Sequence, residues 1–217
     1  MDWKKTITSY IDQGDKEGLL DCGKLSLNKT LRYIQMNIWG DARQIRRWRA
    51  IEALEWLGEV LAWAHEEEFR NLIRRCLWAM NDESGNVPWA APEVMAAVIS
   101  AQPQLYGEFV PMLVTNGLDN GMCHQGVAWA VTKLWPVQAE KLTPFLPKLP
   151  TLLQSNDSEV RGYAAVMSAK IAEADWQVRL QALRQDEGLC HYYHQGVLQK
   201  YQVGELVNGL LEGQVKP

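Results

Sequence analysis

The sequence lacks an apolar run that could cross a membrane, because none approaches the roughly 20 residues that a membrane helix needs. Nothing near its start resembles the charged and then apolar segments of a secretory signal. Its cysteines are widely spaced and form no CxxC pair; they are Cys22, Cys76, Cys123 and Cys190. These absences predict a reduced, soluble, cytoplasmic protein that makes no membrane contact.

The sequence also lacks an excess of positive charge and the short motifs that mark common enzyme classes. A formal net charge of −4 provides no basic field, which disfavours nucleic acid as a partner. No GxGxxG, GxxxxGK[ST], HExxH or GxSxG pattern is present. The sequence therefore predicts no cofactor and gives no positive indication of an enzyme.

What is present is a chain of helical patterns. Its 217 residues with 47% hydrophobic content are enough for one sizeable core. Apolar residues spaced by three and four predict a helix ending near Gly14, a second from about Ser26 to Gly40, and a third from Glu66 to Met80. The stretch 42–64 is apolar on more than one side, as expected of a helix between two neighbours. No strand-like alternation of useful length is visible, so the prediction is an all-α fold.

The helical patterns repeat. Four aspartates, Asp41, Asp82, Asp119 and Asp157, each precede a helix at a spacing typical of helical-pair repeats. Each is followed by an alanine that would let neighbouring helices approach closely, in the column Ala50, Ala91, Ala128 and Ala165. A fifth unit is predicted from 186, where the 119–127 pattern returns with Tyr192, Tyr193 and His194 inserted, an insertion close to one helical turn.

At these positions the chain resembles HEAT-like repeat proteins of the phycobilisome-lyase type. Asp157-Ser158-Glu159-Val160-Arg161 fits their second-helix opening, and Asp41 with Ile45-Arg46 fits with one extra residue, whereas Val87 and His124 replace the arginine in two units. The NDESG and WxAPE elements within 81–93 are similar to those of a bacterial family of such repeats. The resemblance implies an α-solenoid of about five helical pairs over 41–217 behind an N-terminal helical cap at 1–40. It also implies bonds from Arg46 to Asp41 and from Arg161 to Asp157, and it implies no reaction.

The stretch 81–93 is the least regular part of the pattern. Pro88 and Pro92 are one helical turn apart, so the helix is predicted to begin near Ala91 or Pro92 after an irregular lead-in. A helical projection of the second helices places Trp48, Trp89, Gly126 and Tyr163, with the positions four and seven residues later, opposite the core. This predicts one concave groove with two aromatic–carboxylate pairs, Trp48/Glu52 and Trp89/Glu93, and with Asp82, Glu83 and Ser84 at its edge.

Two interpretations of these residues remain open. The groove binds a cationic or base-like group through indole faces and carboxylates. Alternatively, Trp89 fills the space beside Gly126, Asp82 and Ser84 cap helices, and Glu93 favours its helix N-terminus. A metal centre is not predicted, since Cys123/His124 and Cys190/His191 with His194 lie two repeats apart. Glu66, Glu67 and Glu68 are expected to balance the nearby arginines.

The leading functional hypothesis is a non-enzymatic module that binds a protein or peptide segment in the groove lined by Trp48, Trp89 and Tyr163. The alternative, by analogy with HEAT-like enzymes, is a DNA glycosylase for alkylated bases that uses Trp89 and Glu93. Low basicity counts against this alternative. A bilin-lyase-like role rests on repeat type alone.

Overall fold

The computed structural model describes residues 2–81 and 90–217, and these ranges are mainly α-helical. The helices are α1 (Trp3–Gln13), α2 (Lys16–Leu25), α3 (Leu27–Ile38), α4 (Ile45–Leu61), α5 (Glu66–Met80), α6 (Ala91–Ala101), α7 (Pro103–Tyr106), α8 (Val110–Asp119), α9 (His124–Leu142), α10 (Ser158–Ile171), α11 (Ala174–Gln181) and α12 (Val203–Leu211). Short 3-10 helices cover Gly107–Phe109, Gly121–Cys123, Thr143–Phe145 and Leu149–Gln154. The strands are β1 (Leu189–His194) and β2 (Val197–Gln202). None of the helices in these ranges is long and apolar enough to span a membrane.

Most of the helical predictions are confirmed. Helix α1 ends at Gly14, whose φ of 67° is the left-handed conformation of a helix C-cap. Helix α5 has the predicted bounds, and α6 begins at Ala91. Helix α2 was not predicted, because only Leu19, Cys22 and Gly23 of its ten residues are buried and they make a weak stripe.

The core is built around α4, α6, α9 and α10. Each of these helices packs against the next, while α5, α8 and the 3-10 helix Leu149–Gln154 cover their other side. Helices α1, α2 and α3 pack against α4 at one end. The predicted alanine column, Ala50, Ala91, Ala128 and Ala165, is fully buried. Small side chains at these positions therefore lie where neighbouring helices approach.

The prediction of helix in the fifth unit is wrong at 189–202, where the chain forms an antiparallel β-hairpin. Its two-residue loop, Gln195-Gly196, has φ values of 45° and 81°, and positive φ at both central residues is the requirement of a type I′ hairpin turn. The buried side chains Cys190 and Tyr192 lie two residues apart, as a strand requires. The segment 186–197 therefore has a residue order like that of 119–127 but a different backbone conformation.

The predicted arginine–aspartate bonds are also corrected. Arg46 makes a bidentate contact with Asp12 of α1, its Nη2 donating at 2.8 Å, rather than with Asp41. Arg161 donates to both carboxylate oxygens of Asp186, at 2.6 and 2.9 Å, rather than to Asp157. In both cases the turn aspartate accepts a bond from a backbone N–H two residues on, which leaves the guanidinium to join two segments.

The acidic residues that open α5 balance the arginines as predicted. Arg70 donates to Glu66 at 2.6 Å, and Arg74 donates to Glu67 at 3.1 Å. Part of the arginine cluster seen in the sequence is therefore a solvated surface whose charges are neutralised by these glutamates.

Candidate functional site

A cavity of about 370 Å³ lies between α4, α9, α10 and the hairpin. This volume falls in the range of small-molecule and side-chain binding sites. The wall carries charged residues from each of the three helices and aromatic residues from α9, α10 and β1. The main lining residues are Glu52, Glu55, Trp129, Lys133, Tyr163, Lys170, Tyr192, Tyr193 and His194.

A stack of aromatic rings lies beside the cavity with Trp48 at its centre. The ring centroid of Trp48 is 5.1 Å from that of Tyr193 and 5.7 Å from that of Tyr163, with interplanar angles of 8° and 19°. Trp129 contacts Trp48 at a tilted angle, also at 5.7 Å. The stack joins the hairpin to α4, α9 and α10, since aromatic pairs at these distances attract one another beyond their buried area.

The prediction that Trp48 lines an open groove is wrong, because Trp48 is fully buried. Its indole Nε1 donates to the Ala42 carbonyl at 2.7 Å, so its polar atom is also satisfied inside the protein. Tyr163 does line the cavity, although only 2% of its surface is exposed. The hairpin folds back onto α4 and covers the ring of Trp48 that the helical projection placed on the surface.

Hydrogen bonds with side chains of α10 hold the hairpin in this position. The Tyr163 hydroxyl donates to the His191 carbonyl at 3.0 Å and accepts from the Tyr193 N–H at 3.1 Å. Glu159 of α10 accepts from the His191 N–H at 2.7 Å and contacts His191 Nδ1 at 2.8 Å. One wall of the cavity is therefore held by α10 rather than free to move.

Glu52 is a half-buried carboxylate on the α4 wall. Burial raises the pKa of its carboxyl, and the neighbouring Tyr193 hydroxyl offsets part of that rise. Among the described residues, no ion pair reaches Glu52. The Tyr193 hydroxyl is buried and completes no hydrogen bond of ordinary geometry within residues 2–81 and 90–217. A carboxylate and a hydroxyl therefore face the cavity with bonding capacity to spare.

The other charges of the cavity differ in how far they are compensated. Glu55 is paired with Lys133 at 2.7 Å and accepts from the Ser100 hydroxyl at 3.3 Å. Lys170, on the α10 wall, is partly buried and makes no ion pair or hydrogen bond with the part of the chain that the structure describes. Burial, and then Lys170 and two further lysines, lower the pKa of His194, which favours the neutral ring.

Glu93 lies away from this cavity, and its predicted place on a groove is wrong. It is 1% exposed, and its Oε1 accepts from Nη2 of the buried Arg47 at 2.9 Å. Burial raises the pKa of Glu93, and Arg47 offsets part of that rise. A Cβ on Gly126 would overlap Glu93 Oε2, so the space beside Gly126 is taken by this carboxylate.

The remaining predicted site residues, Asp82, Glu83, Ser84 and Trp89, lie outside the described residues, and so does their proposed place at the groove edge. The N-terminal ends of α4, α6, α9 and α10 border a second cavity of about 1030 Å³. Its charged lining includes Arg43 and Glu159, which approach to 3.6 Å.

Cys123 and Cys190 are buried thiols, and His124 and His191 each contact an oxygen atom of the protein. Burial raises the pKa of the Cys123 and Cys190 thiols to about 12. His124 Nε2 contacts the Leu118 carbonyl at 2.9 Å, and His191 contacts Glu159. Within the described ranges, no three His, Cys, Asp or Glu residues come together as a metal site.

Comparisons with protein-family models, with curated proteins and with solved structures find no match to the chain. What can be said of its function therefore depends on the cavity and its chemistry.

The structure brings together the charged positions of the helical projection and adds residues that sequence reasoning missed. Four charged residues that the projection placed on one face line one cavity, and they are Glu52, Glu55, Lys133 and Lys170. The aromatic wall from Tyr192, Tyr193 and His194 was not predicted as part of the site. The only signal for it was the three-residue insertion itself, which is rich in rings and interrupts an otherwise repeated pattern.

Proposed function

We propose that this chain is a non-enzymatic module that binds a protein or peptide segment by taking side chains of that segment into the cavity between α4, α9, α10 and the hairpin. The observation that carries the proposal is a preformed cavity that combines aromatic walls with charged groups lacking counterions among the described residues. Aromatic surface supplies affinity and a few placed polar groups supply orientation, which is the usual composition of a recognition site.

We further propose that the architecture is a HEAT-like α-solenoid, with the cap at 1–40 and the repeat array at 41–217. The succession of α4, α6, α9 and α10 and their buried alanine column support this assignment. The last unit differs, since a hairpin takes the place of a helical pair. Membership of the bacterial family with the 81–93 signature, and a cytoplasmic location, remain predictions.

The glycosylase alternative gains no support from Glu93. A carboxylate that stabilises charge on a flipped nucleotide must reach the ligand. Glu93 is buried and bonded to Arg47, which neutralises it inside the protein. Binding of a peptide segment therefore remains the function that the described residues favour.

Selection of peptides on the folded chain tests the proposal. A displayed random peptide library should yield binders, and Thr132→Phe, which fills the cavity from α9, should weaken them at least about tenfold. The matched control is Thr151→Phe, at an exposed threonine outside the cavity lining, which should leave binding unchanged. Failure to select binders, or binders equally tolerant of both substitutions, would contradict the proposal.

A further inference from the structure

We infer that the ligand group entering this cavity carries one positive and one negative charge, as adjacent basic and acidic side chains of a peptide segment do. The inference rests on the proposed function, because it names the ligand chemistry of the same cavity. It follows from two charges of opposite sign, Glu52 and Lys170, that stand on different helices of one cavity without counterions in residues 2–81 and 90–217.

The negative charge is Glu52. Its carboxylate is partly removed from water and has no cation in ion-pair contact among the described residues. A carboxylate in this state gains from a guanidinium or ammonium that also stacks on a ring, and the rings of Trp129 and Tyr193 line the same space.

The positive charge is Lys170. It lies on α10, seven residues beyond Tyr163, and so about 10 Å further along that helix. Glu52 lies four residues beyond Trp48 on α4, about 6 Å further along its own helix. Trp48 and Tyr163 are stacked on each other, so the two helices are joined at this level, and Glu52 and Lys170 both line the cavity beyond it.

No other charged side chain lining the cavity makes an ion pair with Glu52 or Lys170 within the described residues. Lys133 is paired with Glu55 at 2.7 Å, and Arg49 donates to the Asp12 carbonyl; both cations lower the pKa of Glu52 without an ion-pair contact to it. Burial, and then the charges of Lys170, Lys133 and Lys216, lower the pKa of His194, which favours its neutral ring. A ligand with a single charge would leave either Glu52 or Lys170 without a partner in a partly desolvated site, whereas a ligand with both charges compensates both.

Four blocked dipeptides measure the contribution of each ligand charge to binding separately. They are acetyl-Arg-Glu-amide, acetyl-Arg-Gln-amide, acetyl-Gln-Glu-amide and acetyl-Gln-Gln-amide, titrated into the full chain by calorimetry and by amide chemical shifts. The probe with both charges should bind at least about tenfold more tightly than either probe with one charge. Equal affinity across the series, tighter binding of a singly charged probe, or no binding of any probe would overturn the inference.

Two variants that each remove one charge from the cavity test which protein residue binds which charge of the ligand. In Glu52→Gln, acetyl-Arg-Glu-amide should lose its advantage over acetyl-Gln-Glu-amide and keep its advantage over acetyl-Arg-Gln-amide. In Lys170→Met the reverse should hold, and Glu140→Gln, at an exposed site, should change neither ratio. A merely structural role for either residue would lower all affinities together and would count against the assignment.

The two proposals fail in different ways. If selected peptides bind in a manner that depends on Thr132 but show no preference for paired charges, the inference fails and the binding function stands. If no peptide is selected, both fail.

Discussion

At the scale of single residues, Glu93 shows how a buried charge is accommodated by its neighbours. Its carboxylate is enclosed by Arg47 of α4 and by the backbone at Gly126 of α9. Leaving one partner of such a pair alone in the core is expensive, whereas the intact pair is close to neutral for stability. Gly126 therefore serves to admit a carboxylate, a role that the sequence could not reveal.

We predict that Gly126→Ala destabilises the protein by about 2–3 kcal/mol, because the new methyl group overlaps the Glu93 carboxylate. In a Glu93→Ala background, which itself costs about 3–5 kcal/mol, the same substitution should become neutral or stabilising. Alanine is favoured over glycine in a helix by about 1 kcal/mol once the space is empty. Urea unfolding of the four proteins of this cycle measures the change in sign, and additive effects would refute it.

Asp186 gives a second prediction at this scale, with a defined dependence on pH. Hydrogen bonds from Arg161 lower the pKa of its carboxyl below the ordinary value. A carboxyl whose folded-state pKa is depressed stabilises the protein above its unfolded pKa, about 3.9, and loses that contribution as the pH falls through the folded value. Asp186→Asn should cost about 2 kcal/mol at pH 7.

The difference between the wild type and Asp186→Asn should then shrink as the pH is lowered from 4 toward 2. Urea unfolding at several pH values measures it, and Asp21→Asn, in an exposed pair with Lys24, is a control expected to stay close to zero. A difference that is independent of pH would show that the Arg161 contact does not act through charge.

The residues of the site were predictable where their exposure depends on the helix that carries them and not on contacts with distant segments. Helical spacing alone placed Glu52, Glu55, Lys133 and Lys170 on one face, and they line one cavity. The same spacing placed Trp48 and Glu93 on that face, and both are buried. Trp48 is covered by Tyr193, and Glu93 by Gly126, and these contacts come from segments distant in sequence, which a helical projection does not contain.

At the scale of elements, the ends of the helices are governed by backbone conformation. Helices α1 and α10 both terminate in a residue with positive φ, Gly14 at 67° and Ala172 at 59°. Glycine adopts this conformation freely, while a Cβ makes it costly. The two helix ends therefore allow glycine and alanine to be compared at the same backbone conformation.

We predict that Ala172→Gly stabilises the protein by about 0.5–1 kcal/mol, although glycine usually weakens a helix. The reciprocal change, Gly14→Ala, should destabilise by about 1 kcal/mol, because a Cβ there meets no atom within 4 Å and so only the backbone strain counts. Thermal and urea unfolding of the two variants measure both changes in the free energy of unfolding. Effects of the same sign would contradict the account.

The hairpin is the element whose type the sequence predicted wrongly, as helix instead of strand. Periodicity in 189–202 is weak, since both Tyr192 and Tyr193 are buried and strict alternation is lost. Tyr193 packs against Trp48 and Tyr192 packs edge-on against Tyr163, so the strand is buried on more than one side. A strand enclosed in this way resembles a helix segment when only the order of apolar residues is considered.

At the scale of the whole molecule, the four cysteines report on the integrity of the fold. All four are buried free thiols, and burial raises the pKa of Cys76, Cys123 and Cys190 to about 12. The thiolate is the reactive species, so almost none is present near pH 8.

We therefore predict that a chromogenic disulfide reagent at pH 8 modifies no thiol of the folded protein rapidly and all four in 6 M guanidinium. The reaction rate should follow the rate of opening of the structure. Rapid modification of one thiol in the native protein would identify a locally open region and would refute this prediction.

The overall helical plan was readable because it depends on short-range periodicity, and α5 was predicted with its bounds. The packing of β1 onto α4 was not, since it depends on the rings of Tyr193 and Trp48 meeting across most of the chain.

That contact has a consequence for how the protein folds. An open array of repeats can fold from any point and fray from either end, because each unit touches only its neighbours. Here β1 cannot stack on Trp48 until α4 is in place, and closing so long a loop carries an entropic cost that is recovered only when the rings meet. The chain should therefore fold slowly for a helical protein and unfold in one cooperative step, with its two ends lost together.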